Sequence, residues 1–387
     1  MNKNTYIVLV LIYLSFIALG LSEGALGTAW PVMRDEMRLP LTHGGIVMIV
    51  HAIFYSLSSS QLGRIARSLK LEHIDLLGLI SMAIGFFCFV ISPNFVMIIL
   101  AVAITGCGMG LIDSSLNSYM AKNFTSRYMN WLHCFWGLGA AASPAIMARM
   151  IIVADWRMGY AVLGMFHLAV IAMVLISVFK RVWQQEERTQ QNSPIVKGGN
   201  LTKKRHQFLM IFIFFLYVGA EHSIGFWITS VMLESRGLSH DRAAMFATVY
   251  YAMIMAGRLV FGYLANRFKD RDIIRFGLCF SILGLVVLVI SDSIIGIAIV
   301  GFGFAPVFPC LVNDTANRFS PKILTKLVGY EIASVGAGIA IISAGMGQVL
   351  EFISMQALFP AVMILVVLTF LLNEILLMIT KRYATTE

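Results

Sequence analysis

The chain has 387 residues, of which 59% are hydrophobic and 13% charged, and its mean hydropathy is +0.83. A water-soluble domain carries roughly 25% charged residues, so this chain lacks the polar surface of a soluble enzyme. Its net charge of +9 at pH 7 would suit nucleic acid only if the basic residues gathered on one polar domain, and they do not.

About 20 consecutive apolar residues cross a bilayer core. In chain order, spans are predicted at Tyr6–Trp30, Gly44–Leu62, Ile74–Ser92, Phe95–Met120, Met129–Met150 and Met158–Phe179. After a polar break they resume at Phe208–Met232, Ala243–Ala265, Ile273–Ile290, Ser293–Asn313, Val328–Leu350 and Gln356–Ile379. The first is too long for the apolar core of a signal peptide and has no small-residue cleavage pattern, so it reads as a retained helix. The chain is thus an all-α membrane protein of twelve transmembrane helices. Its one long polar stretch divides it into an N-terminal six-helix bundle (1–180), a linker (181–206) and a C-terminal six-helix bundle (207–387).

An even number of spans puts both termini on one side of the membrane. On that side lie 23 of the 29 Lys and Arg residues, among them Arg64, Arg67, Lys70 and seven between Lys180 and Arg205. The other side has only Arg34, Arg38, Arg149, Arg157, Arg236 and Arg242. The positive-inside rule then sets both termini in the cytoplasm of a bacterial inner membrane. The charge is a topology signal, and no nucleic-acid partner is expected. Cys88, Cys107, Cys134, Cys279 and Cys310 all fall within spans, without metal-type spacing, and read as free thiols.

The two bundles repeat one another. At an offset of 199 residues Gly63 maps to Gly262, Gly78 to Gly277, Gly85 to Gly284, Gly137 to Gly336 and Gly139 to Gly338. The first helix of each half carries E-x-x-x-G and then Trp: Glu23, Gly27 and Trp30, then Glu221, Gly225 and Trp227. Two such halves with cytoplasmic ends resemble the major facilitator superfamily. Members of that family carry a G-x-x-x-D-R-type loop between helices 2 and 3, echoed between helices 8 and 9. Here the second copy reads Gly262-Tyr-Leu-Ala-Asn266-Arg267, preceded by Arg258, while the first, Gly63-Arg-Ile-Ala-Arg67, lacks the acid. The Asp155-Trp156-Arg157 run opening helix 6 is also similar to the family.

Within the family, Phe215-Leu-Tyr-Val-Gly-Ala-Glu221 followed by Trp227 resembles the seventh helix of sugar-porter-like members near the fucose:proton symporter branch. The helix 10 run Gly301-Phe-Gly-Phe-Ala-Pro306-Val-Phe-Pro309 and the helix 4 run from Gly106 through Asp113 to Asn117 point the same way. In that branch acids on helices 1 and 4 serve proton coupling, which the resemblance carries to Glu23 and Asp113. It also implies that Arg258, Asn266 and Arg267, in and before the helix 8–9 loop, clamp the cytoplasmic face as a gate.

The residues themselves support a buried polar site. An uncompensated acid at a helix centre costs roughly 2.5–3.5 kcal/mol, so intramembrane acids usually face a cavity or a partner. Glu23, Asp113 and Glu221 are the proton-coupling candidates, with the alternative that each makes only a structural bond. Asn117 follows Asp113 by one turn and shares its face. Asp113 lies about seven residues above the short loop to helix 5 and His133 about four, so an Asp–His relay is within reach. His133 is otherwise a satisfied buried histidine. Asn117, Gln61, Trp136, Trp227, Tyr250 and Tyr251 suit hydroxyl-rich substrates, amides bonding to hydroxyls and aromatic faces stacking on sugar rings.

The expected function is secondary active transport of a small polar solute, a sugar or polyol, by proton-coupled symport. A proton-antiport exporter of drugs or metabolites is the alternative. Its family pattern in helix 5, G-x-x-x-G-P, is met only in part by Gly139-Ala-Ala-Ala-Ser143-Pro144. No enzymatic activity, metal or cofactor is expected, the proton gradient (or a sodium gradient) being the driving force. The partners are the small-molecule substrate and the lipid bilayer, with the chain acting as a monomer.

Overall fold

The computed structural model describes residues 3–124, 126–183, 201–264 and 267–384. Twelve helices among them are long and apolar enough to cross a membrane. The first six are α1 (Lys3–Met37), α2 (His43–Ile65), α3 (Leu71–Val90), α4 (Phe95–Asn123), α5 (Trp131–Val153) and α6 (Trp156–Phe179). The second six are α7 (Lys204–Glu234), α8 (His240–Leu264), α9 (Asp270–Ile290), α10 (Ile294–Arg318), α11 (Lys326–Phe352) and α12 (Met355–Thr380). Each overlaps its expected span, α1 running on past Trp30 to Met37. Of the linker expected over 181–206, residues 184–200 lie outside the described residues.

Helices suit this sequence because lipid offers no hydrogen bonds, so each backbone group must be satisfied within the chain. Where the chain re-enters the bilayer, side chains cap it. Asn94 accepts from the Met97 amide at 3.1 Å to open α4, and Asp155 accepts from Met158 at 2.9 Å to open α6. Two helices are irregular. In α10 the helix breaks between Phe304 and Val307, where Pro306 has no amide hydrogen to give. The Phe304 carbonyl beside this break accepts the Tyr217 hydroxyl at 2.8 Å. In α11 a π-helical turn runs over Ile339–Ser343, and the Ser343 carbonyl accepts the Trp227 indole N–H at 2.8 Å.

The helices of each half pack mainly on one another, and the halves meet through α1 with α7, α2 with α11 and α5 with α8. Of the glycines matched by the 199-residue offset, two pairs make matched backbone contacts, while Gly63 faces open space. A methyl group added at Gly78 would meet the Gly108 carbonyl oxygen at 3.0 Å, and one at Gly277 would meet that of Gly303 at 2.5 Å. A methyl at Gly139 would lie 2.2 Å from the Ile17 oxygen, and one at Gly338 2.5 Å from that of Phe215. Gly137 and Gly336 instead face the opposite half, against Met255 and Ser56. The repeat is therefore a repeat of helix contacts, with small residues setting the close approaches.

On the face opposite the termini the halves are tied shut. Arg34 pairs with Glu234 at 3.0 Å, and the Leu41 amide donates to Glu351 at 2.5 Å. Trp30 and Trp227, the matched tryptophans, are both fully buried there with Gly44 between their rings. Any side chain at Gly44 would collide with both indoles. Gly45 and Gly347 bring α2 and α11 together beside them.

Candidate transport cavity

Below that closure, between the halves, lies a cavity bordered by Glu23 of α1, His51 of α2, Met109 of α4, His222 and Phe226 of α7 and Tyr251 of α8. Glu23 and His222 face each other across it, Oε1 to Nε2, at 3.4 Å. His51 Nε2 lies 3.2 Å from the Met109 sulfur, and its ring stacks over Tyr55 one turn along α2.

Asp113 is held within the N-terminal half. The Tyr55 hydroxyl donates to one carboxyl oxygen and Asn117 Nδ2 to the other at 2.8 Å, with a second bond to the Asp113 carbonyl at 2.9 Å. The helical spacing expected from Asp113 and Asn117 is thus realised as a bonded pair. The expected Asp113–His133 relay is not: Asp113 has Tyr55 and Asn117, and the His133 ring packs edge-on against Phe16 of α1 at 6.0 Å. Loop length allowed the contact, but the α4 face bearing Asp113 turns toward α2.

In the C-terminal half Arg258 gathers several contacts. Its guanidinium lies 3.9 Å from Glu221 of α7 and 4.8 Å above the ring of Trp136, which belongs to α5 of the other half. Trp136 in turn meets Tyr251 edge-on at 6.4 Å. Arg258 is therefore not part of a clamp at the loop. It sits one to two turns inside α8, on the face of Tyr250 and Tyr251, as its spacing of seven and eight residues requires. Arg267 is exposed and lies over Tyr263 of its own helix at 5.5 Å. Asn266 lies outside the described residues.

Three of the expected substrate contacts fall elsewhere. Gln61 is exposed at a turn near the end of α2, ten residues beyond the cavity residue His51, and accepts from Arg64 at 3.0 Å. Trp227 has no exposed surface and serves the closure with Trp30. Tyr250 is buried behind Tyr251 and donates to the Glu221 carbonyl oxygen at 2.8 Å, bracing α8 against α7. Asn117, Trp136 and Tyr251 remain partly exposed or at the cavity border. Sequence reasoning passed over Tyr55 and the pairing of His222 with Glu23. His51 and Tyr55 share one face of α2 at i, i+4, which is a readable signal.

A bundle of twelve spans in two repeated halves, closed on one face around a polar cavity, is the architecture of a secondary transporter. The family model described as Major Facilitator Superfamily matches residues 12–330 and 232–387, and the chain belongs to that family. It is a membrane transporter, not an enzyme. Among curated relatives, the glucose/mannose transporter GlcP of Bacillus subtilis is 23% identical over 345 residues, covering 86% of this chain and 85% of its own. A glucose/galactose transporter of Brucella abortus is 23% identical over 258 residues, 62% of each chain. A solved peptide transporter, POT, superposes with a TM-score of 0.77 at 14% identity, over 97% of this chain and 94% of its own, which is a likeness of fold.

Proposed function

We propose that the chain is a proton-coupled symporter for a neutral sugar or polyol, working by alternating access in a bacterial inner membrane with both termini cytoplasmic. Residues 1–180 and 207–387 are its two moving halves, joined by 181–206. The observation that carries this reading is the lining of the cavity. Glu23 borders it with an imidazole partner, and Asp113 of the same half has hydroxyl and amide partners, neither carboxyl being held by a guanidinium. Such carboxyls are stable with or without a proton, since a hydroxyl or imidazole neighbour donates or accepts as needed. Tyr55, Asn117, His51 and Tyr251 supply the hydrogen-bonding groups that a polyhydroxylated ligand requires, and Trp136 supplies a flat face. The named activities of the glucose/mannose and glucose/galactose relatives support the same substrate class. A single working chain is enough, because the cavity is complete within it.

The test is reconstitution into proteoliposomes with labelled D-glucose and D-mannose. An inward proton gradient should drive accumulation, whereas a sodium gradient should not. Glu23→Gln and Asp113→Asn should both abolish accumulation, and Asp113→Asn should spare sugar exchange at equal pH. Accumulation at the wild-type level in both variants would remove the coupling assignment. Absence of any sugar uptake by the wild type would remove the substrate class.

A further inference from the structure

When two rigid halves rock about a central site, proton binding shifts the balance of states only if the titrating group has different partners in those states. Asp113 does not, since Tyr55 and Asn117 belong to its own half and move with it. Glu221, Asp314 and Glu374 do not either, each being held by an arginine of its own half, Arg258, Arg318 and Arg275. Glu23 differs, because His222 belongs to the other half. We infer that the Glu23–His222 pair is the element linking proton binding to rocking: one proton shared by the pair holds the face opposite the termini shut, and its loss lets that face open.

The proton count follows from the imidazole. His222 Nδ1 lies 3.1 Å from the Val218 carbonyl oxygen, which only accepts, so Nδ1 carries a hydrogen. In a neutral ring Nε2 is then a bare lone pair. A carboxylate oxygen 3.4 Å from a bare lone pair is repelled. The contact therefore holds one further proton, either on Nε2 as imidazolium or on Glu23 as the acid.

The surroundings leave this pair distinct. His51 of α2 and Tyr251 of α8 border the same cavity, and Tyr250 is committed to the Glu221 carbonyl. Behind α7, Glu331 is bonded to Thr315, and Glu374 to Arg275. On the helices behind α1, His133 packs on Phe16, Asp75 is bonded to Ser15, and His167 Nδ1 meets the Leu163 carbonyl. Other ties between the halves are Arg258 over the Trp136 ring and, at the closed face itself, Arg34–Glu234 and Leu41–Glu351. With the termini in the cytoplasm, the proton would be carried in with the pair closed, and its release inside would free the empty carrier to return. That direction rests on the function proposed above, while the role of the pair in closure does not.

The experiment uses no sugar, so its outcome is separate from the accumulation assay. Spin labels are placed at Ala154 and Ser239, exposed positions near the closed face on opposite halves, in a full-length chain with its five native cysteines replaced. Their distance is measured in lipid nanodiscs between about pH 5 and about pH 8, the range that histidine spans. In the wild type the short distance should gain at low pH, the ratio of states changing about tenfold per unit difference in proton affinity. In Glu23→Gln the amide donates to Nε2 at every pH, so the short distance should persist throughout. In His222→Ala the tie is gone, and the long distance should dominate without responding to pH. Asp113→Asn, which loses coupled transport, should keep the wild-type response. A pH response in Glu23→Gln matching the wild type, or its loss in Asp113→Asn, would overturn the inference. Glu23→Gln preserves side-chain size and decides the matter alone if His222→Ala does not fold.

Discussion

The two halves match in their helix contacts and differ in their buried charges. In the N-terminal half Glu23, Asp75 and Asp113 lie in the bundle with a histidine, a serine, and a tyrosine with an asparagine as partners. In the C-terminal half Glu221, Asp314 and Glu374 are each paired with an arginine, and Glu331, bonded to Thr315, is the exception. A guanidinium does not titrate and keeps its carboxylate charged. A hydroxyl or amide makes no such demand. One half thus suits proton exchange, and the other has fixed ion pairs that brace its helices. Symmetric backbones need not divide the chemistry evenly.

The sharpest way to break that contrast is to neutralise one acid in each half. Asp314→Asn leaves the buried charge of Arg318, 2% exposed, without its carboxylate and should cost about 3–5 kcal/mol. Asp75→Asn keeps an acceptor for Ser15 and should cost no more than about 1 kcal/mol. Equal losses in thermal or denaturant unfolding of the purified variants would erase the difference between halves. Next in size are the matched glycines. Gly139→Ala and Gly338→Ala should each cost about 1–3 kcal/mol by overpacking, with Gly139 the worse because its approach is closer. A larger loss at Gly338 would count against the matched geometry. Smaller still is the coupling of Glu221 to Arg258, for which a double-mutant cycle to Gln should return about 1 kcal/mol. The double variant should then be less impaired in folding than the sum of the single ones. The least effect belongs to Arg34→Ala at the closed face, below about 1 kcal/mol in stability. It should show chiefly as a longer average distance between Ala154 and Ser239.

The fold was legible because lipid leaves few options: twelve apolar runs must be helices, and the glycine offset marks where those helices touch. The site was legible only in part. Glu23 and Asp113 stand out because acids are costly in apolar runs, and Asn117 follows from helical spacing. What they bond to depends on rotation about each helix axis, which loop length does not fix. That is why Asp113 meets Tyr55 of α2 and not His133, and why Glu221 and His222, adjacent in sequence, turn to different partners. Arg258 was read by its nearness to the loop motif, although its spacing from Tyr250 and Tyr251 already aimed it inward. Gln61 was read as polar within a span, when it marks an exposed turn near the end of α2.

The burial of Trp30 and Trp227 around Gly44 has an optical consequence. Two of the six tryptophans sit dry at the seam that must part whenever the far face opens. Parting would wet both indoles and shift their emission to longer wavelength, while the bond from Trp227 to Ser343, within one half, is kept. In a chain whose other four tryptophans are replaced by phenylalanine, ordinary fluorescence would then follow each opening in real time, with no label attached.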